Sequence, residues 1–274
     1  MPYDLPSIVK RTGRRRDVTL RPIIPTASQA IDLAAIYAPA WRIWAESVDR
    51  ILAAYDPQPL PTSDSLTLDT ADQVQAAITS VANEFLTILT ARISPALRNW
   101  CIRVESWHRD KFTASVKAGT GLDVAMLLGP SDANDTLEVF MARNTALIRN
   151  VSDQTQARVA DAVFRGYQDR RPIREVAKEL SEATTLGRDR ARRIAQDQTQ
   201  KVSAALDRTR QQDAGISQFK WRHSFKLHPR KEHQARDGKI YDWTSEVARN
   251  DPPGSAPYCG CRAQAYLAIL DEIE

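Results

Sequence analysis

The sequence holds few thiols, no long apolar run and almost no strand-like alternation before residue 215. Cysteine occurs 3 times in 274 residues, and an odd, small number in a chain of this length excludes a disulfide framework and fits a reducing compartment. The run from Ile31 to Ile36 is broken by Asp32 and followed by Pro39. That falls far short of the roughly 20 apolar residues of a bilayer-spanning helix, so neither a membrane segment nor a membrane partner is expected. The first residues carry Asp4 and Pro6 and then a basic cluster, with no apolar core of the kind a secretory signal requires, which predicts a cytosolic protein. What is present is ordinary for a folded chain. Hydrophobic residues make up 42% and charged residues 26%, which excludes a collagenous or wholly disordered chain, and the length suits about two domains.

The formal charge is +4 and the isoelectric point about 9.0, but the charge is unevenly placed. Residues 1–21 hold six Lys and Arg against two Asp, and residues 188–239 hold fourteen against six, so the remainder is net acidic. Basic segments set apart in this way suit an anionic polymer or an acidic protein surface; the plainer reading is solvated helix faces.

From residue 28 to 210 the apolar period is helical. Val74, Ala77, Ile78, Val81, Phe85 and Leu89 form one stripe, and Leu97, Cys101, Val104 and Trp107 another, which starts at Ser94-Pro95. Residues 129–135 read as a loop. Further stripes follow at Leu137 to Ile148 and Val159 to Phe164, separated by an expected break over residues 150–153. A short helix from Pro172 to Leu180, a turn at Leu186 and Gly187 and a basic helix from Arg188 to about Asp213 together resemble a helix-turn-helix, with Gly215 as the stop. The block from Gln196 to Gln200 reads as a solvated face. Trp41 and Trp44 suit either a core or a partner anchor.

After residue 215 the period becomes two: Phe219, Trp221, His223 and Phe225 alternate with polar residues, as in a half-buried strand. Asp237-Gly238 marks a tight turn before a short return strand at 239–243, residues 251–257 form a Pro-rich loop, and 263–273 read as a closing helix. The expected fold class is thus mainly α, a multi-helix body with a small C-terminal α+β module. Its expected divisions are a basic arm (1–26), an N-terminal helical region (27–130), a central helical region (131–215) and the module (216–274).

The module carries the candidate chemistry. Cysteine thiolate and histidine imidazole are the usual ligands of a structural zinc ion, which lends folding free energy to a small core. His233, Cys259 and Cys261 supply three ligands, with His228 or Asp237 as the fourth; zinc is the one cofactor expected. The competing reading is two small buried thiols beside a Pro-rich turn, with His233 bonded to a backbone carbonyl. A thiol nucleophile with His233 as its base and a metal-dependent nuclease built on Arg230, His233, Asp237 and Arg262 are chemically conceivable, but no spacing singles out a catalytic set, and no enzyme activity is expected. Arg14, Arg15 and Arg16 suit a disordered arm on phosphates, and Arg188, Arg192 and Arg193, beside Arg190, a phosphate-facing helix start.

Residues 147–267 also carry, in order, "RPIREVAKEL", "RARRIAQDQTQKVSAAL", "AGISQFKWRHS", "RKEHQARDGKIY" and "PPG" before "CGCR". This order resembles the phage Mu protein F-like family, the minor head or head-morphogenesis proteins of tailed bacteriophages. Its most specific marks are Arg230, His233, Asp237 and Gly238 at their spacing, then Cys259, Cys261 and Arg262. The sequence departs from the family at Lys226, where an acidic residue is usual, and at Tyr258-Cys259-Gly260-Cys261, where Asn-Cys-Arg-Cys is usual. The resemblance implies a minor capsid protein in the virion, inside the head near the portal vertex, with the host cytoplasm as its place of assembly. The implied partners are the portal, the capsid interior and DNA phosphates. A DNA-binding regulator acting through residues 172–213 and a metal-dependent nuclease stand as alternatives.

Overall fold

The computed structural model describes residues 3–55, 68–128 and 133–270. In chain order these form α1 (Leu5–Arg11), β1 (Val18–Thr19), α2 (Ala27–Glu46), α3 (Val48–Ala53), α4 (Leu68–Ile88), α5 (Ser94–Thr120), α6 (Asn134–Gln168), α7 (Ile173–Asp213), β2 (Gln218–Arg222), α8 (Lys231–Ala235), β3 (Ile240–Asp242), α9 (Glu246–Asn250) and β4 (Arg262–Leu267). The fold is mainly helical with one small antiparallel sheet, in the order β1-β4-β2-β3.

The chain divides into two compact units. One comprises Met1–Ala30, Trp100–Phe140 and Gln196–Glu274, and the other Ile31–Asn99 and Met141–Ala195. This division differs from the sequential one expected from loops, because α5, α6 and α7 each contribute residues to both units. In the second unit the described residues are helices and their connections. Its core is the predicted stripe of α4, with Val74, Ile78, Val81 and Phe85 almost fully buried, together with Trp41 and Trp44 of α2. The two tryptophans are therefore core residues. Trp44 Nε1–H donates to Ser152 Oγ (3.0 Å) and Tyr37 Oη–H to Asn144 Oδ1 (2.7 Å).

Three expected helix boundaries bring no interruption, each for a physical reason. α5 does start at Ser94-Pro95, but no gap in the helix precedes it. Pro95 has no N–H for the helical ladder, yet a π-helical turn over Leu89–Ile93 absorbs the mismatch, and Ser94 Oγ–H donates to Leu89 O (2.9 Å). Residues 150–153 do not break α6, since Ser152 is buried on the bond from Trp44. Gly187 makes no turn, because α7 runs unbroken through it; a β-carbon there would lie 2.6 Å from Thr155 Oγ1. Gly187 thus serves close helix packing, and the helix-turn-helix reading falls with the missing turn.

By length and composition Asp72–Thr120 is apolar enough to cross a membrane, with a window of mean hydropathy 1.2, which a search for unbroken runs passes over. Of that window 28% is buried inside the protein: in this stretch Phe85, Leu89 and Ile93 are buried, whereas Leu86 and Ile102 are exposed.

In the first unit the segment read as a disordered arm is ordered by packing. Asp4 caps α1, Leu5 and Val9 are fully buried, and β1 pairs with β4 through Val18 and Leu267. Asp17 then clasps the far end of the sheet: Tyr266 Oη–H donates to Oδ2 (2.5 Å), and the N–H groups of Ile269 and Leu270 donate to Oδ1 (2.8 and 3.0 Å). These bonds, that of Tyr266 first, hold the Asp17 carboxyl below its ordinary pKa. Gly215 (φ +68°) ends α7 as expected, with Ile216 N–H donating to Gln211 O and Gly215 N–H to Gln212 O.

The expected closing helix is instead β4, a strand with partners on both sides. Ala263, Ala265 and Leu267 are buried at a period of two, and Trp221 of β2 lies opposite Ala263. Residues 129–132 of the expected loop and 271–273 of the expected helix lie outside the described residues.

Candidate metal centre

The site is built on β2 and β4. Phe219 and Trp221 of β2 are fully buried and pack with Trp243, Ala248, Cys259 and Cys261. The alternation stops at Arg222: His223 is still buried, but Phe225 turns outward with φ +51°. The Asp237-Gly238 turn closes as expected, with Gly238 at φ +77° and its N–H donating to Trp221 O (2.8 Å). Asp237 Oδ1 accepts from His223 N–H (2.8 Å) and its Oδ2 faces Arg222 (3.8 Å).

α8 turns His233 inward, edge-on to Trp221 with ring centroids 5.2 Å apart. The Pro-rich loop is pinned on several sides. Gly254 (φ +84°) lies so close to α7 that a β-carbon would come within 2.6 Å of Ala204 Cβ, Asp197 Oδ1 accepts from Tyr258 N–H (2.6 Å), and Arg230 donates to Pro257 O (3.0 Å). Lys226, the residue that departs from the family pattern, donates to Tyr258 O (2.8 Å). Tyr258 itself takes φ +58°, a strained value for a residue with a β-carbon.

These constraints bring His233, Cys259 and Cys261 together. Their ligand atoms all lie within 4.8 Å of one another, and all three side chains are buried. His233 Nδ1 is 3.4 Å from Cys259 Sγ and 3.6 Å from Cys261 Sγ. On the other side of the ring, Nε2 meets Asp251 Oδ2 at 2.9 Å, and Asp251 also accepts from Arg236 (2.6 Å). The Cys261 N–H points at Cys259 Sγ (3.4 Å). A hydrogen bond from the Cys261 thiol brings the Cys259 pKa down to about 5, and the same bond raises that of Cys261. Neither expected fourth ligand joins the cluster: His228 is exposed, and Asp237 is held by the turn. Residue type marks His233 and the two cysteines in the sequence. Asp251 gives no such mark, because it stands 18 positions from the histidine it orients, in a loop read only as a connection.

Arg262 is buried, with Nη1 donating to Gln200 O (3.0 Å) and Nη2 bonded to Gln200 Oε1. It faces a polar interior that the sequence reading missed. Asp197, Gln198 and Thr199, expected to be solvated, are buried, as are Ser203, Asp207 and Arg210 further along α7. Arg210 donates to Glu105 Oε1 (2.5 Å) and to His108 Nδ1, while His108 Nε2 bonds Asp207 Oδ1 (3.0 Å). Burial, the largest cause, holds His108 below its ordinary pKa. The ring is therefore neutral and carries its proton on Nε2. The candidate contact residues Arg14, Arg15, Arg16, Arg188, Arg192 and Arg193 are all exposed; the first three lie in one compact unit and the others in the second.

Fold and site together define a class: a helical protein in which a small antiparallel sheet presents a buried histidine and two cysteines. Comparison with known proteins narrows it, since residues 153–264 match the family model described as phage Mu protein F like protein. An uncharacterized protein of Haemophilus influenzae is 26% identical over 173 residues, 63% of this chain and 38% of that protein, so the chain spans well under half of that relative's length. No solved structure matches.

Proposed function

We propose that this chain is a minor capsid or head-morphogenesis protein of a tailed bacteriophage. It acts inside the head near the portal, in assembly and in DNA packaging or delivery, and touches DNA through phosphates rather than bases. The observation that carries this reading is the family match over residues 153–264, which takes in α7, β2, α8, the Pro-rich loop and all three members of the cluster. The exposed arginines at 14–16 and on α7 supply the charge that phosphate contact needs. The unbroken α7 argues against the rival DNA-binding regulator, which needs a separate recognition helix. No catalytic step belongs to the proposal.

The test is quantitative mass spectrometry of purified intact particles beside particles emptied of DNA. The expected result is a few to some tens of copies of this chain in each intact particle; its absence from both samples would overturn the structural role.

A further inference from the structure

We propose that His233 Nδ1, Cys259 Sγ and Cys261 Sγ are three ligands of a bound zinc ion, oriented by Asp251, and that this ion fastens α8 and the Pro-rich loop to the sheet. The argument is geometric. A tetrahedral zinc with bonds of about 2.3 Å to sulfur and about 2.0–2.1 Å to nitrogen sets its ligand nitrogen and sulfur about 3.6 Å apart. The two observed separations are 3.4 and 3.6 Å. One ring nitrogen has one lone pair and satisfies one thiol, yet here both sulfurs converge on Nδ1. A shared metal accounts for that convergence, and it would take the place of the thiol hydrogen bond by which Cys261 faces Cys259.

Three further features agree. His233 Nε2 is paired with Asp251, so Nδ1 is the ring nitrogen that faces the sulfurs; this carboxylate–imidazole arrangement is the one that holds metal-bound histidines in place. The Cys261 N–H is directed at a sulfur, as suits a thiolate. The core around the cluster is small, Phe219, Trp221, Trp243, Ala248 and Ala263 with the two cysteines, so a cross-link there adds to the local stability. Two sulfurs and one nitrogen, all buried, select zinc over the hard cations magnesium and calcium. Among the described residues no fourth His, Cys, Asp or Glu joins the group, and we assign the fourth corner to water. Zinc binding at this cluster stands or falls independently of the role in the phage head.

The experiment is elemental analysis of the purified full chain, before and after dialysis against zinc followed by removal of excess, with cobalt substitution as the optical readout. One zinc per chain is expected, and the cobalt form should show the intense sulfur-to-metal absorption of a dithiolate site. Cys261→Ser should remove both. Because that variant risks misfolding, Asp251→Asn gives a second test: it keeps every ligand and should weaken zinc binding about 10- to 100-fold, with the helical circular dichroism intact. His228→Ala, at an exposed residue outside the cluster, should change nothing. A chain that binds less than a tenth of an equivalent of zinc in folded form would overturn the proposal. Rapid alkylation of Cys259 in that metal-free chain would then point to a thiol nucleophile paired with His233.

Discussion

The two compact units solve the problem of burial in opposite ways. The unit made of residues 31–99 and 141–195 fills its interior with an apolar helical stripe and admits neutral polar contacts one at a time, such as Tyr37 to Asn144 and Trp44 to Ser152. The unit that bears the sheet buries charge. Glu105, Asp207, Arg210 and Arg262 lie in its interior around the neutral His108, two carboxylates against two guanidinium groups. The first kind of core tolerates local loss. The second depends on every partner being present, because a buried charge left alone has neither water nor a counter-ion.

Substitutions in the two units put that contrast to a test. The largest effect is expected from Arg210→Ala, which leaves the buried Glu105 only Arg109 at 3.9 Å and removes the donor to His108; it should cost about 3–5 kcal/mol, measured by urea unfolding. Tyr37→Phe, in the other unit, removes one neutral hydrogen bond and should cost about 1–3 kcal/mol. Equal losses from the two would erase the distinction between the cores.

The next effect is pH-dependent. Burial depresses the pKa of His108, so the unfolded chain takes up a proton near pH 6.5 that the folded chain refuses. This part of the stability is complete above about pH 6.5 and declines as pH falls, by at most about 1.4 kcal/mol per pH unit. His108→Gln should flatten the decline relative to the parent, and parallel curves would show that His108 does not drive it. The smallest effect is expected at Gly187→Ala. The added methyl meets Thr155 at 2.6 Å, and overpacking opposed by the better helix propensity of alanine leaves a net cost of about 1 kcal/mol. Adding Thr155→Ala should relieve it; no relief would mean that the close packing of α6 on α7 is not what requires glycine.

The same contrast explains what could be read in advance. Apolar stripes were legible because burial in the helical unit follows the 3.6-residue period, and Val74, Ile78, Val81 and Phe85 all point inward as their spacing demands. Local punctuation misled wherever tertiary packing outweighed it. Ser94-Pro95, residues 150–153 and Gly187 carry signals of breaks that a π-helical turn, the bond from Trp44 and close packing on Thr155 absorb. The polar block at 196–200 read as solvated because residue type alone cannot distinguish an exposed polar face from one paired in the interior. In β4 the alternation Ala263, Ala265, Leu267 was present, but alanine favours helices and hid it. At the site, His233, Cys259 and Cys261 were visible as residue types, whereas Asp251 acquires its role only through the folded path of the loop.

The place of β4 in the sheet carries a consequence for synthesis. β1 and β2 are separated by some 200 residues, and neither has the other as a neighbour; β2 can pair with β3 on one side, but its other edge and β1 wait for β4, which leaves the ribosome after them. A nascent chain that has not yet reached residue 262 therefore carries two strands with unpaired edges, the state most open to wrong association and to chaperone capture. Translation arrest or proteolysis just ahead of Arg262 would remove the shared partner of two distant strands at once. Synthesis of residues 262–267 thus decides whether the strand at Val18–Thr19 finds its partner.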